Sequence, residues 1–354
     1  MASTVGSVGS FFRKPNPPSA PPAAPPPPTG IAVAGTLPPA PIARRRLSFH
    51  GTGATLFGIH VVNVLFIILT LGIYYFWGKT RIRRYIFGES AFDGDRFAYH
   101  GTAKELMLGF VKAFVVFFVP IVFLTVVRDV LDVDPTIKGV AALSISILFL
   151  MFIPVALVGA RRYRLSRTSW RGIRFSFRGP ALQFVKIFVL GTVLTGLTFG
   201  LYYPFFMTRR QAYMVRHSYF GNERFGFDGR GWELFAPFLL AAVLMLPTLG
   251  LSWVWFFARK RRFFWDHTTF GAVRFGSTVT GGALLWLWLV NVLLLVATIG
   301  LAWPWVRVRN IHFAFRYLDL SGPLDVERIR QQAQQASATG EGLAGFLDTG
   351  FDLG

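Results

Sequence analysis

Five ionisable side chains stand inside or at the start of long apolar runs: His60, Glu105, Lys112, Lys186 and Glu233. A charge surrounded by hydrocarbon is costly, so such residues in a membrane segment are suspects for ion or proton handling. Glu105 and Glu233 each lie eight residues past the start of a recurring unit. There the positive end of a helix dipole favours a carboxylate, a structural role that competes with a cation or proton site. Lys112 and Lys186 fall within a few turns of a segment start. They can snorkel to an interface, or face a pathway or an anionic lipid. His60 can relay protons or make an interhelical hydrogen bond. Asn63 and Asn291 each stand seven residues before a recurring Thr and are expected to hydrogen-bond across helices.

Four arginines, Arg81, Arg209, Arg259 and Arg309, each lie eleven residues past that Thr. Guanidinium groups bind phosphates, so these are candidate lipid-headgroup ligands as well as anchors on the basic side. His217 and His267 share a register before Ser218 and Thr268, but two His without a carboxylate or Cys beside them make a poor metal site. The chain has no Cys, which removes disulfides, thiolate metal sites and Cys nucleophiles. It carries no P-loop, no HExxH, no nucleophile elbow and no paired acids within one segment. No enzyme activity, cofactor or metal is therefore expected.

The elements that must position these residues follow from composition. Of 354 residues 53% are apolar and only 15% charged, against roughly 25% charged in an average soluble domain. This places the chain in the membrane class. Lys and Arg number 37 against 17 acids, a net charge of +20. Basic clusters such as Lys79–Arg84 and Arg259–Arg262 adjoin apolar segments. That pattern fits anionic headgroups rather than nucleic acid.

A repeat dominates the chain. Aromatic-x-aromatic-x-Gly occurs at Phe97–Gly101, Phe175–Gly179 and Phe225–Gly229, with weaker versions from Leu47 and Phe275. Units start near 47, 97, 175, 225 and 275, so three of four spacings are 50 and the second unit holds 28 extra residues. Thr-x-Gly follows at Thr70, Thr198, Thr248 and Thr298. Aromatics come five and seven residues later, the Arg comes at eleven, and each unit closes on Arg-Phe.

The alternating aromatics suit a short half-buried strand. Apolar stretches follow at 54–69, 181–197, 234–247 and 283–297, with two more at 106–127 and 139–159 in the second unit. In lipid these must be helical. Gly ends or bends each helix at an interface, and the basic, aromatic stretch after it fits an interfacial amphipathic helix. The expected fold is an all-α polytopic membrane protein with about six apolar helical segments, joined by short strands or hairpins. Residues 1–43, rich in Pro and Ala, are expected to be a disordered tail. Residues 44–322 form the repeat-built membrane domain, and 323–354 a C-terminal tail.

The loop near 128–138 is poor in Lys and Arg and reads as outside, its basic flanks as inside. Simple alternation then puts Arg44–Arg46 and Arg209–Arg210 outside, a conflict that re-entrant or broken segments relieve.

The run Thr70-Leu71-Gly72-Ile73-Tyr74-Tyr75-Phe76-Trp77, with Lys79-Thr80-Arg81-Ile82-Arg83-Arg84-Tyr85 and Phe97-Ala98-Tyr99-His100-Gly101, resembles the YjgN-like family. Those are bacterial inner-membrane proteins grouped under a domain of unknown function. The resemblance covers roughly 44–322 and implies a multi-pass protein of the bacterial inner membrane. It carries no catalytic residues to transfer, and the fourth unit departs from the family pattern. Two functions remain in view. Broken segments in repeats frame sites in transporters, so permeation of a small solute or ion is one. A non-catalytic, lipid-interacting envelope protein is the other. The expected partners are membrane lipids with anionic headgroups, with association between copies left open.

Overall fold

A computed structural model describes residues 46–131, 133–323 and 329 of the chain. The expected tails lie outside these residues, apart from 323 and 329. The order strand–helix–helix–strand recurs five times. The first unit is β1 (Leu47–Phe49), α1 (Gly53–Leu69), α2 (Tyr75–Glu89) and β2 (Ser90–Phe92). The second is β3 (Asp95–Tyr99), α3 (Ala103–Ala113), α4 (Val119–Asp129), α5 (Pro135–Ser166) and β4 (Thr168–Trp170), with a π-helical turn at Phe114–Phe118 joining α3 to α4. The third comprises β5 (Ile173–Phe177), α6 (Ala181–Leu197), α7 (Tyr203–Arg216) and β6 (Ser218–Phe220). The fourth is β7 (Glu223–Phe227), α8 (Gly231–Val243), α9 (Ser252–Asp266) and β8 (Thr268–Phe270). The fifth is β9 (Val273–Ser277), α10 (Gly281–Ala297), α11 (Trp303–Arg316) and β10 (Leu318–Ser321).

The expectation of an all-α protein needs correction. All ten strands join into one antiparallel sheet in chain order. Strands of three to five residues cannot stand alone, and each finds a partner on both sides except at the two ends. Cross-strand aromatic pairs hold the register: Phe97 opposite Trp170, Phe175 opposite Phe220, Phe225 opposite Phe270. The segments that begin at Ser90, Thr168, Ser218 and Thr268 are the strands β2, β4, β6 and β8. The turns proper are two-residue links between units. Asp93-Gly94 and Arg171-Gly172 have positive φ at both positions, and Gly221 and Gly271 at the first only. These are the dihedral signatures of the I′ and II′ turns that tight hairpins use.

One face of the sheet gathers Phe92, Trp170, Phe220, Phe270, Leu318 and Leu320 into a buried cluster, with Phe97, Phe175, Phe225 and Phe275 against it. Side chains from every unit meet there, so no unit is complete without the others. The sheet's ends approach each other: Arg46 Nε donates to Asp319 Oδ1 at 3.0 Å, and Phe49 meets the His312 ring edge-on at 5.3 Å.

Above the sheet the second helix of each unit touches the second helix of the next. Phe76 and Phe87 of α2 cluster with Tyr163 of α5, Val158 of α5 with Tyr213 of α7, and Val215 of α7 with Phe263 of α9. The Arg261 guanidinium lies over Phe313 of α11, and Val308 and Ile311 of α11 pack with Ile82 and Tyr85 of α2. The five second helices thus form a closed inner ring. The apolar first helices pack between them from outside: α1 lies against both α2 and α11, α6 against both α5 and α7.

Among the described residues, two helical stretches, Ala103–Asp129 with 27 residues and Pro135–Ser166 with 32, are long and apolar enough to cross a membrane. Four shorter apolar helices, of 17 residues (α1, α6, α10) or 13 (α8), accompany them. They stop early because Thr-x-Gly turns the chain back.

Glycine sets the joints between units. A Cβ on Gly53, Gly231 or Gly281 would lie 2.3, 2.6 or 2.5 Å from the Trp305, Phe205 or Trp255 side chain of the preceding ring member. Gly281→Val is expected to lower stability in detergent by about 1–3 kcal/mol through overpacking, while Gly58→Ala, where nothing lies within 4 Å, leaves it nearly unchanged. Equal thermal midpoints for both variants would refute the joint.

Candidate functional site

The Thr-x-Gly turns share one hydrogen-bond pattern. Thr70 Oγ1 donates to the Phe66 carbonyl at 2.6 Å and accepts from the Tyr74 N–H at 2.9 Å. Thr198, Thr248 and Thr298 repeat both bonds. The N–H of Gly72, Gly200, Gly250 and Gly300 each reaches the carbonyl five residues back at 2.7 Å. Three of the four carbonyls that a helix end normally leaves to water, those of Phe66, Ile67 and Ile68 in the first hairpin, are therefore paired within the turn. The residue between Thr and Gly takes a left-handed φ: Leu71 51°, Phe199 48°, Leu249 50°, Ile299 51°. That conformation costs about 1–3 kcal/mol for a residue with a Cβ. These four side chains are 96%, 99%, 96% and 95% exposed. Four strained, fully exposed apolar residues at four hairpin tips form a surface without a partner among the described residues.

At the opposite end of the hairpins lie the acids. Glu105 closes a capping box with Thr102. Its carboxylate takes a forked ion pair from Arg167, Nη2 to Oε1 at 2.6 Å and Nε to Oε2 at 3.2 Å, and the Tyr163 hydroxyl donates to Oε2 at 2.9 Å. Glu233 accepts from the Arg230 N–H at 3.1 Å and meets His267 Nε2 at 3.1 Å. Both carboxylates are thus engaged at helix starts. His267 and His217 each turn Nδ1 to the carbonyl four residues back. No group of three or more metal-ligating side chains occurs among the described residues.

Asn63 Nδ2 donates to the Gly78 carbonyl at 3.3 Å across the α1–α2 hairpin. Asn291 Nδ2 donates to Asn310 Oδ1 at 2.7 Å across α10–α11. His60 lies 5.1 Å from the Trp303 ring, tying α1 to α11. Lys112 is exposed near the end of α3.

Lys186 and Arg209 are brought together. They line one cavity of about 150 Å³ between α6 and α7, with Tyr202 as the third polar side chain and Ile187, Leu190 and Phe206 as apolar walls. The Arg209 guanidinium lies over the Tyr202 ring at 5.7 Å. Arg81 and Arg259 are likewise exposed on their helices, and Arg309 half-buried. Each stands eleven residues from its turn Thr, roughly 16 Å along the helix.

Sequence reasoning missed Arg167 and Tyr163 as partners of Glu105, because they are about 60 residues away. It also missed a polar cluster in the inner ring, where Lys260 Nζ donates to Tyr203 Oη at 3.4 Å across from α9 to α7. Burial first, and then the Arg210 charge, hold the Lys260 ammonium below its ordinary value. The register of Arg210 and Lys260, 50 residues apart, was the available signal.

The model of the family described as "Bacterial protein of unknown function (DUF898)" matches residues 44–254 and 234–346. The chain belongs to that family. It is 38% identical over 129 residues to inner membrane protein YjgN of Escherichia coli (strain K12), covering 36% of this chain and 30% of the relative. It is 31% identical over 134 residues to inner membrane protein YjgN of Salmonella typhimurium, covering 37% and 31%. The alignments thus span under a third of the length of these relatives. No solved structure matches.

Glu105→Gln is expected to weaken the α3–β4 junction by about 2 kcal/mol, through loss of charge-assisted bonds to Arg167, and Glu233→Gln by less, since His267 is its one side-chain partner. Thermal unfolding of the two variants in detergent checks the order. A larger loss for Glu233→Gln would contradict it. Burial, and then Arg174, Arg167 and Arg84, hold the His100 pKa below the ordinary imidazole value. The stability this adds is present in full above that value and declines as pH falls below it toward the folded pKa. His100→Gln should flatten this acid-side slope, as measured by chemical unfolding between pH 7 and 5.

Proposed function

We propose that the chain is a non-catalytic inner-membrane protein whose helical hairpins engage lipids, four dipping into one leaflet and one crossing the bilayer. The observation that carries this is the set of tips at Leu71, Phe199, Leu249 and Ile299, apolar, strained and 95–99% exposed, with backbone groups paired in the turn. Water gives no reason for such tips. Hydrocarbon requires both the apolar side chain and the internal pairing.

Depth follows from the arginines. If guanidinium groups lie among phosphates, the tips reach roughly 16 Å inward, about half of a hydrocarbon core of about 30 Å. In contrast, the α3–α4 stretch of 27 residues and α5 of 32 extend about 40 and 48 Å, enough to cross. Every hairpin then enters and leaves on one face. The basic clusters, the ten strands and the inter-unit turns all fall on that face, read as cytoplasmic by charge. The Lys/Arg-poor tip near 130–137 falls on the other. This removes the topological conflict that simple alternation produced. The naming of the relatives as inner membrane proteins supports the location.

Permeation along the axis has less support, because side chains from all five units fill the face of the sheet through which such a path would run.

The absence of native Cys makes the topology directly testable. Single Cys at Leu71, Phe199, Leu249 or Ile299 should resist an impermeant maleimide from both sides of the membrane. Glu223→Cys and Ala272→Cys should label from the cytoplasmic side, and Thr136→Cys from the other. Labelling of Leu249→Cys from the side opposite to Glu223→Cys would sink the dipping arrangement, since it would place the tip across the bilayer.

A further inference from the structure

We infer that the cavity between α6 and α7 is a binding site for the phosphate group of an anionic phospholipid, held by Lys186 and Arg209. The inference rests on the lipid-engaging reading above and adds a specific site to it.

Two cations, both exposed, line one hollow of about 150 Å³. Among the described residues neither has a carboxylate partner. Like charges brought to one cavity repel each other, and an anion between them removes that cost. A guanidinium and an ammonium together offer a fork and a point donor, a combination suited to phosphate oxygens. Tyr202, under the Arg209 guanidinium at 5.7 Å, places a third polar group on the same hollow. Ile187, Leu190 and Phe206 complete the lining, so the ligand must be polar at one end and apolar beside it. A second, more open hollow on the same hairpin shares Phe206 and continues with Thr195, Phe199 and Met207, apolar surface for an acyl chain.

The other hairpins supply an internal control. The residue twelve before the turn Thr is Lys186 in this hairpin but Gly58, Ala236 and Trp286 in the others. Arg81, Arg259 and Arg309 therefore face no second cation at that level. Gly191 is what lets the helices close around the hollow: a Cβ there would lie 2.1 Å from the Phe206 ring.

The test uses the full chain purified in detergent, with native mass spectrometry of added phosphatidylglycerol, phosphatidylcholine and inorganic phosphate. Wild type should retain one phosphatidylglycerol in preference to phosphatidylcholine. The double variant Lys186→Gln/Arg209→Gln should lose roughly a hundredfold in affinity, about tenfold for each charge-assisted bond. Lys186→Arg should hold the lipid within a few-fold, and Arg309→Gln should change nothing. Binding unaltered in the double variant, or equal for the two lipids, overturns the site. Displacement of the lipid by millimolar inorganic phosphate overturns the lipid as the source of the phosphate. Should the double variant unfold, the single variants Lys186→Gln and Arg209→Gln are each expected to lose about tenfold. If lipid retention fails while the Cys at the four tips stay protected, the site is wrong and the dipping hairpins stand.

Discussion

The hydroxyl of a single threonine at each of the four short hairpin tips is the constraint from which the architecture grows. It donates backward to a carbonyl of the first helix and accepts an N–H from the start of the second. With the glycine N–H bonded across the same turn, the chain reverses with most of its helix-end carbonyls paired internally. A helix that can reverse in an apolar medium need not cross it. Both ends of the hairpin then stay on one side, so strands before and after it are neighbours and can pair. Ten short strands unable to persist singly become one sheet because four turns send the chain home.

Charge follows the same logic. The basic residues gather on second helices that return toward the sheet, and the acids sit at helix starts near it. Glu105 and Glu233 neutralise N-terminal N–H groups and meet Arg167 and His267. The forked pair with Arg167 spans α3 and the junction of α5 with β4, so it closes the base of the longest hairpin where leverage from its extra length is greatest. Polar side chains higher up, Asn63 and Asn291, bond within their own hairpin. They fasten the outer helix to the inner one instead of linking distant parts.

Much of this was written locally. Thr-x-Gly marks every short hairpin tip, the apolar runs mark the outer helices, and the aromatic alternation marks β3, β5 and β7. What local pattern could not show was pairing over distance. Ser218–Phe220 has three residues, too few to display a two-residue period, and it is a strand only because β5 and β7 flank it. Lys186 and Arg209 read as separate charges until the hairpin brings them to one cavity. Arg167 could not be matched to Glu105, since nothing in a 62-residue separation announces contact. The error over an all-α fold has the same origin: each strand looked like a connection, and the sheet exists only as a collective.

The near-meeting of the two sheet edges, where Arg46 reaches Asp319 and α1 lies against α11, makes the position of the chain ends arbitrary to the fold. The gap between β10 and β1 lies where a further inter-unit turn would fall, bridged by that ion pair in place of strand pairing. A circular permutant that links the ends near residues 46 and 323 and opens the backbone at Asn222 should therefore preserve every helix contact. Such a ring could have been cut at any of five places, and gene order records only one of them.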